Sequence, residues 1–276
     1  MNENIIEILS YLSILRTEEK NTGKANAYKK AISSIKKYEK EIETAKESEK
    51  LDGIGKSIST KIGKILANKS NKTGIPDLDN LSEDKFNEIK TIYNLSKDKI
   101  GIGYAKAKKL YNEGITNIDE ITDNKMVKYR EDLAKKINYR IIDKFYNILD
   151  DIILNLNSKN NTKLKAKILG SYCRGAPESG DVDVLFYSKI NGEIDYIDEF
   201  LNKLRKRNIL IDIDKNGPIK KRIVCKLEDS HAFQCDIEIV HNYEEEYFYE
   251  LLYFTGSDNF VKAMRDHADK CGYRLT

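Results

Sequence analysis

Between Gly180 and Phe186 two carboxylates interrupt a run that is otherwise apolar, and they do so two residues apart. In an extended strand Asp181, Asp183 and Leu185 share one face, and Val182, Val184 and Phe186 share the other. Burying a strand that opens with two acids on one face is costly unless cations neutralise them. The pattern returns further along: Gln234, Asp236 and Glu238 lie on one face, and Cys235, Ile237 and Ile239 take the core side. If the two strands are neighbours, three aspartates converge. Three hard oxygen ligands, together with phosphate oxygens, are what Mg²⁺ prefers, and two such ions about 4 Å apart suit in-line phosphoryl transfer.

The residues ahead of the first strand sharpen this reading. Gly170-Ser171-Tyr172-Cys173-Arg174-Gly175 follows the strand-like Lys167-Ile168-Leu169, and Ser179-Gly180 leads into Asp181. A strand-to-helix junction made of Gly and Ser offers N–H groups and a hydroxyl to a phosphate, and Arg174 can add a bidentate contact. Asp-x-Asp alone is common and often only caps a strand at a surface. The whole succession, completed by an apolar-flanked Asp236, is specific.

Elsewhere the chain changes texture. From Ile5 to about Asn138 the periodicity is helical, as in Ile5, Ile8, Leu9, Leu12 and Leu15 and again in Tyr28, Ile32, Ile35 and Tyr38. Turn residues at Thr22-Gly23, Asp52-Gly53, Thr73-Gly74-Ile75-Pro76 and Gly101 punctuate it, and 72–80 reads as a boundary between two small helical domains. From about Leu164 short strand-like runs take over, with one helix expected at Ile194 to Arg207, so a mixed α/β domain follows a helical half. The 276 residues suffice for two or three cores. The four cysteines are scattered without metal spacing, which suits a reducing compartment, and the three histidines read as surface or packing residues. No apolar run reaches membrane-spanning length, and Met1 to Ser10 lacks a basic leader region.

Net charge is only +3, yet lysines crowd the first half: Lys24, Lys29, Lys30, Lys36, Lys37, Lys56, Lys61, Lys64, Lys69, Lys106, Lys108 and Lys109. Two of these clusters follow the same motif. Leu51-Asp52-Gly53-Ile54-Gly55 precedes a helix with Ile58, Ile62, Ile65 and Leu66 on one face, and Ile100-Gly101-Ile102-Gly103 precedes one with Ala107, Leu110 and Tyr111. Glycines permit φ > 0 and let backbone approach a phosphate, and a helix starting there turns its free N–H groups toward the anion. One Gly-x-Gly is usually an ordinary turn; two, each with a basic helix, favour contact with a DNA backbone, which reads no sequence. Lys61 sits at the margin of the first apolar stripe. Partly desolvated among cations, such a lysine has a depressed pKa and can serve as an amine nucleophile, although most lysines in so lysine-rich a chain are simply solvated.

Over nearly its whole length the chain resembles DNA polymerase family X, and within it the beta-type enzymes, through Lys24 to Lys30, Leu51 to Lys61, Gly101 to Ile115, Gly170 to Leu185 and Leu252 to Ala268, in family order. The resemblance implies an α+β multidomain fold: a helical N-terminal half with two helix-hairpin-helix motifs, then a mixed α/β nucleotidyltransferase palm and a truncated nucleotide-selection subdomain. The expected divisions are 1–74 (lyase-like, first hairpin), 75–142 (second hairpin), 143–243 (palm) and 244–276. It implies a template-directed DNA polymerase that fills short gaps in base-excision-type repair and also removes a 5′-deoxyribose phosphate. Asp181, Asp183 and Asp236 match the ligands of two Mg²⁺ (Mn²⁺ being an alternative), and Lys61 matches the Schiff-base lysine. Gly170, Ser171, Arg174, Ser179 and Gly180 match the triphosphate cradle, and Tyr253, Phe254, Gly256 and Asp258 the wall of the nucleotide pocket. Lys24, Tyr28, Gly53, Gly55, Gly101, Gly103, Ala105 and Arg265 match DNA-contacting residues, with a monovalent cation at the hairpins. Gapped or nicked DNA with a 5′-phosphate and dNTPs are the implied partners of a monomer with no membrane association, acting in nucleus, cytoplasm or a viral factory.

Several positions depart from the family. Gly23 stands for a histidine near the template, Glu49 and Ser70 for lysines of the lyase part, Gln234 and Glu238 for arginines flanking the third aspartate, and Val261 for an asparagine that contacts the incoming base. The chain ends at Tyr273-Arg274-Leu275-Thr276, where beta-type enzymes continue. Two rival readings follow: a template-independent nucleotidyltransferase, and a gap-binding repair module without polymerase activity.

Overall fold

The computed structural model describes residues 2–68, 72–98, 100–122, 124–190 and 193–275. They form two compact units, 1–127 and 128–276. Lys69 and Ser70 lie outside the described residues.

The first unit is helical: α1 (Glu3–Glu18), α2 (Thr22–Lys37), α3 (Ala45–Ser48), α4 (Lys56–Ala67), α5 (Pro76–Asp79), α6 (Glu83–Ser96) and α7 (Tyr104–Asn112). The stripe Ile5, Ile8, Leu9, Leu12 and Leu15 is buried as its spacing predicts, but Tyr11, Ser13 and Ile14 are buried too. So α1 is a central helix wrapped by α2, α4, α5 and α6, and Tyr11 meets Phe86 and Tyr93 edge-on. The segment read as a boundary is packed instead. Pro76 opens α5, and Ile75 and Leu78 are fully buried, because two apolar side chains beside a proline-started turn have more to gain from α1 than from water.

The second unit is built on a five-stranded mixed sheet, order β2-β4-β7-β6-β5, from β2 (Lys165–Ile168), β4 (Val182–Tyr187), β5 (Leu210–Asn216), β6 (Lys220–Cys225) and β7 (Phe233–Ile239). A two-stranded ladder pairs β1 (Ile137–Asn138) with β3 (Glu178–Ser179). The helices are α8 (Arg130–Leu133), α9 (Tyr139–Asn160), α10 (Gly170–Cys173), α11 (Ile197–Lys206), α12 (Tyr243–Thr255) and α13 (Asp258–Lys270). α9 and α11 supply Phe145, Leu149, Ile152, Leu156, Phe200 and Leu204 to one core with Val182, Val184, Phe186, Cys235, Ile237 and Ile239. On the opposite sheet face Leu185 packs with Leu169, Val240 and Tyr247 of α12.

α9 extends helical structure well past Asn138. Its start is capped by the Asn138 side chain, which accepts from the Arg140 N–H, and it stops at Asn161, in the left-handed region at φ 52°. Its buried stripe, Ile142, Phe145, Leu149, Ile152, Ile153 and Leu156, has the three/four spacing of a helix laid on a sheet. The helix expected at 194–207 is a 3₁₀ turn at Glu193–Tyr196 followed by α11.

Candidate active site

The two acid-bearing strands are neighbours. β4 and β7 run parallel, and Asp183 is the register partner of Asp236. With the odd-numbered core residues of β7 facing α9 and α11, Asp181, Asp183 and Asp236 line one cavity of about 540 Å³ on the other face. Burial, and then the charges of Asp181 and Asp236, push the Asp183 carboxyl up to about 7, while Arg174 works in the opposite sense.

Gly170 positions this group. Its φ is +64°, and a Cβ there would come closer to Asp183 Oδ2 than the 3.0 Å that real Cβ atoms keep. The chain between β2 and α10 therefore passes directly beneath Asp183, which only glycine allows. Ser171 donates to Ser179 Oγ at 2.7 Å; Ser179 is itself buried and held by the β1–β3 ladder. Gly170, Ser171 and Arg174 line the cavity, whereas Ser179, bonded to Ser171, and Gly180 are not among its lining residues. Arg174 donates to the Thr255 carbonyl at the end of α12 and lies against Gly256, whose φ is +68°. Tyr253, Phe254, Gly256, Asp258 and Arg265 complete the cavity wall. The Arg265 guanidinium lies 5.2 Å from the Tyr253 ring centre and the Lys220 ammonium 5.5 Å, so two cations lie near the Tyr253 ring. Val261 is buried at the same wall.

Several residues of this site escape the motif reading. Lys215, Lys220, Lys221, Arg222 and Lys262 also line the cavity, and most of them sit on the β5–β6 hairpin, whose lysines look like ordinary strand-edge residues in sequence. Lys220 faces Glu238 Oε2 at 3.0 Å. Burial holds the Glu238 carboxyl up to about 7, against the pull of Lys220. Arg222 pairs with Asp236, its register partner across β6 and β7. Gln234 and Glu238, read as changes in charge beside Asp236, thus have a structural counterpart in cations supplied by the next strand.

As donors, three hard carboxylates in a basic cavity suit a divalent cation in kind. Among the described residues no three acid, histidine or cysteine side chains are gathered as ligands around one point; Asp236 is turned toward Arg222.

The helical unit holds a second cavity, of about 390 Å³, that brings together Lys24, Tyr28, Gly53, Gly55 and Lys61. Arg16 and Asp77, which carry no motif, complete it. Contrary to the expectation of a lysine among cations, Lys61 Nζ has the Asp77 carboxylate at 3.6 Å, and Arg16 pairs with the same carboxylate. The two hairpins share one backbone form: Gly53 and Gly101 take φ of +77° and +75°, while Gly55 and Gly103 are extended N-cap residues of α4 and α7. The latter two are exposed, with nothing within 4 Å of a Cβ, and no side chain caps the first N–H groups of either helix. Ala105 is exposed on the first turn of α7. Gly101, Gly103 and Ala105 stay outside the 390 Å³ cavity. Of the lysines, Lys108 is bound to Glu18 and Glu88 within the unit, and Lys30 covers Gly53 while pairing with Asp52. Gly23 and Glu49 are exposed.

Comparison with known proteins agrees with both halves of this geometry. Residues 1–71 match the family description "Helix-hairpin-helix domain", and residues 140–248 match "DNA polymerase beta palm". The chain is 24% identical over 285 residues to DNA polymerase lambda of Rattus norvegicus, covering 100% of this chain and 48% of that one. It is 23% identical over 290 residues to DNA polymerase lambda of Arabidopsis thaliana, covering 100% of this chain and 53% of the relative. A DNA polymerase type-X family protein, pol4, of Schizosaccharomyces pombe is 24% identical over 196 residues, 67% of this chain and 36% of that protein. The chain thus spans about half the length of the two polymerase lambda relatives. No helix among the described residues is long and apolar enough to cross a membrane. With a helix-hairpin-helix domain at one end and the DNA polymerase beta palm beyond it, the chain resembles DNA polymerase family X.

Proposed function

We propose that this protein is a template-directed DNA polymerase that fills short gaps during base-excision-type repair. The observation that carries the reading is the pairing of Asp183 with Asp236 on adjacent parallel strands, with Asp181 on the same cavity. Bound at these carboxylates, divalent cations (two Mg²⁺, or Mn²⁺) would lower the pKa of a primer hydroxyl and neutralise charge developing on the transferred phosphoryl group. The chain's own part is positioning. The turn Gly170–Arg174 holds the triphosphate through N–H groups, Ser171 and Arg174, while Ser179 and Gly180 set its shape. Tyr253, Phe254, Gly256 and Asp258 wall the deoxynucleotide, and Arg265, stacked on Tyr253, meets the nascent pair.

In the helical unit Lys61 is the Schiff-base amine of a 5′-deoxyribose phosphate lyase, with Lys24 and Tyr28 about the 5′-phosphate. Gly53, Gly55, Gly101, Gly103 and Ala105 present helix N-termini to the DNA backbone, with a monovalent cation held by the hairpins. What supports this is the joint presence of Lys24, Tyr28 and Lys61 in one cavity. Gapped or nicked DNA and dNTPs are the substrates, the working form is a monomer, and the free thiols Cys173, Cys225, Cys235 and Cys271 suit a reducing nuclear or cytoplasmic setting.

The test is dNTP incorporation on a one-nucleotide gap bearing a 5′-phosphate, with Mg²⁺ and with EDTA, beside a primer lacking a template. Insertion of only the complementary nucleotide, lost in EDTA, is expected. Equal extension without template would favour the template-independent nucleotidyltransferase, and gap binding without incorporation the non-catalytic module. Borohydride trapping on abasic-site DNA tests the second activity: a Lys61→Ala variant that traps as well as the parent assigns the role elsewhere.

A further inference from the structure

Asp236 reaches the shared cavity already engaged. Arg222 donates from Nε to Asp236 Oδ1 at 2.8 Å and from Nη2 to Oδ2 at 3.2 Å, and Gln234 Nε2 adds a bond to Oδ2 at 3.2 Å. Both oxygens are thus taken by one guanidinium in the two-point geometry that fixes direction as well as supplying attraction. The remaining nitrogen, Nη1, faces Asp214 Oδ2 on β5 at 3.8 Å. Arg222 therefore lies between a carboxylate on each flanking strand. Asp236 draws this cation from β6 because its own strand offers it only Gln234 and Glu238.

We propose that Arg222 is a positioning residue: it fixes Asp236 by both oxygens on the cavity that Asp181 and Asp183 also line, and yields one oxygen, leaning toward Asp214, when a cation comes to share that carboxylate. The proposal rests on the reading that Asp236 belongs to the catalytic carboxylates. Its physical basis is the mutual repulsion of three acids at one cavity, which disfavours keeping all three charged there unless a cation lies beside them. A guanidinium cannot lose its proton and has a fixed planar fork. It therefore orients a carboxylate where a lysine supplies only a point charge, and it competes with any cation for the same oxygens.

The experiment measures two quantities on the full chain: Mn²⁺ binding without DNA, from the electron paramagnetic resonance of the free ion, and single-turnover insertion on a one-nucleotide gap. Arg222→Met should bind Mn²⁺ at least about threefold more tightly, since a cation has left the site. It should insert roughly 10- to 100-fold more slowly, with the loss in kcat rather than in KM for the dNTP. Arg222→Lys should keep the parental Mn²⁺ affinity and still insert slowly. Adding Gln234→Arg to Arg222→Met returns the guanidinium from β7 itself and should restore most of the insertion rate. The proposal is overturned by parental insertion in Arg222→Met, by Mn²⁺ affinity that is unchanged or falls together with insertion (as general damage to the sheet would produce), or by no rescue from Gln234→Arg. Asp236→Ala separates the layers. Normal insertion by that variant removes the underlying assignment, whereas an inactive Asp236→Ala beside a parental Arg222→Met removes only the role of Arg222.

Discussion

Replacing Gly170 by alanine separates the geometry of the carboxylate site from the stability of the fold. Gly170 has φ +64°, and a methyl group there would overlap Asp183 Oδ2, with Asp183 Cγ at 3.1 Å. Two costs follow. A left-handed alanine costs roughly 1–2 kcal/mol in backbone strain, which for a chain of this size lowers Tm by roughly 2–8 °C. The collision is different in kind: the obstructing atom is the free end of a carboxylate, so the side chain gives way and the backbone stays. A displacement on the order of 1 Å at a reacting centre costs about 10²-fold in rate, so insertion should fall far more than stability. Gly175 is the matched control. It has φ +77° and nothing within 4 Å of a Cβ, so Gly175→Ala carries the strain without the collision. Thermal melts and single-turnover insertion on a gapped duplex, run side by side, should show similar Tm losses and a rate loss confined to Gly170→Ala. If both variants insert equally well, the close approach of Gly170 to Asp183 does not position the site.

Other consequences can be measured. Asp183 and Glu238 are both held near 7 in the folded chain, chiefly by burial, so the folded state keeps protons that an unfolded carboxylate releases near pH 4. Stability of the metal-free protein should fall as pH rises from about 4 to about 7, and Asp183→Asn should raise stability in EDTA at pH 8 by on the order of 2 kcal/mol while changing little at pH 4. Lys24→Ala should lower the slope of log affinity against log salt for gapped DNA by about 0.7–0.9, measured by fluorescence anisotropy, if Lys24 meets one phosphate; an unchanged slope removes it from the DNA surface. Leu149, 1% exposed between α9 and the sheet, should cost about 3 kcal/mol in urea unfolding when cut to alanine, without altering the cavity on the other face.

Much of this arrangement is legible in sequence because strands have a period of two. Once Val182, Val184 and Phe186 are assigned to the core, Asp181 and Asp183 have only one face left, and Cys235, Ile237 and Ile239 do the same for Asp236. The hairpins are legible because Gly53 and Gly101 occupy positions that other residues rarely adopt. Arg222 is not legible, because its partner is chosen by the antiparallel register of β6 on β7, a pairing no local pattern encodes. Asp77 is hidden for a related reason: it meets Lys61 and Arg16 only when α5 folds onto α1. The helix α9 had its signal in plain view, since Ile142, Phe145, Leu149 and Ile152 repeat at helical spacing, but the change to strand-like runs just beyond it draws the eye to Leu164. The buried 72–80 segment shows the limit of turn residues as boundary marks: Gly74 and Pro76 shape a turn, whereas Ile75 and Leu78 decide whether it is packed.

The most direct measurement is single-nucleotide insertion by an Asp236→Ala variant on a one-nucleotide gap with a 5′-phosphate, alongside its affinity for the same DNA. The account predicts that insertion is abolished while gap binding stays close to that of the parent, because β7 contributes chemistry to the cavity and the helical unit contributes the hold on DNA. Insertion at the parental rate would contradict it.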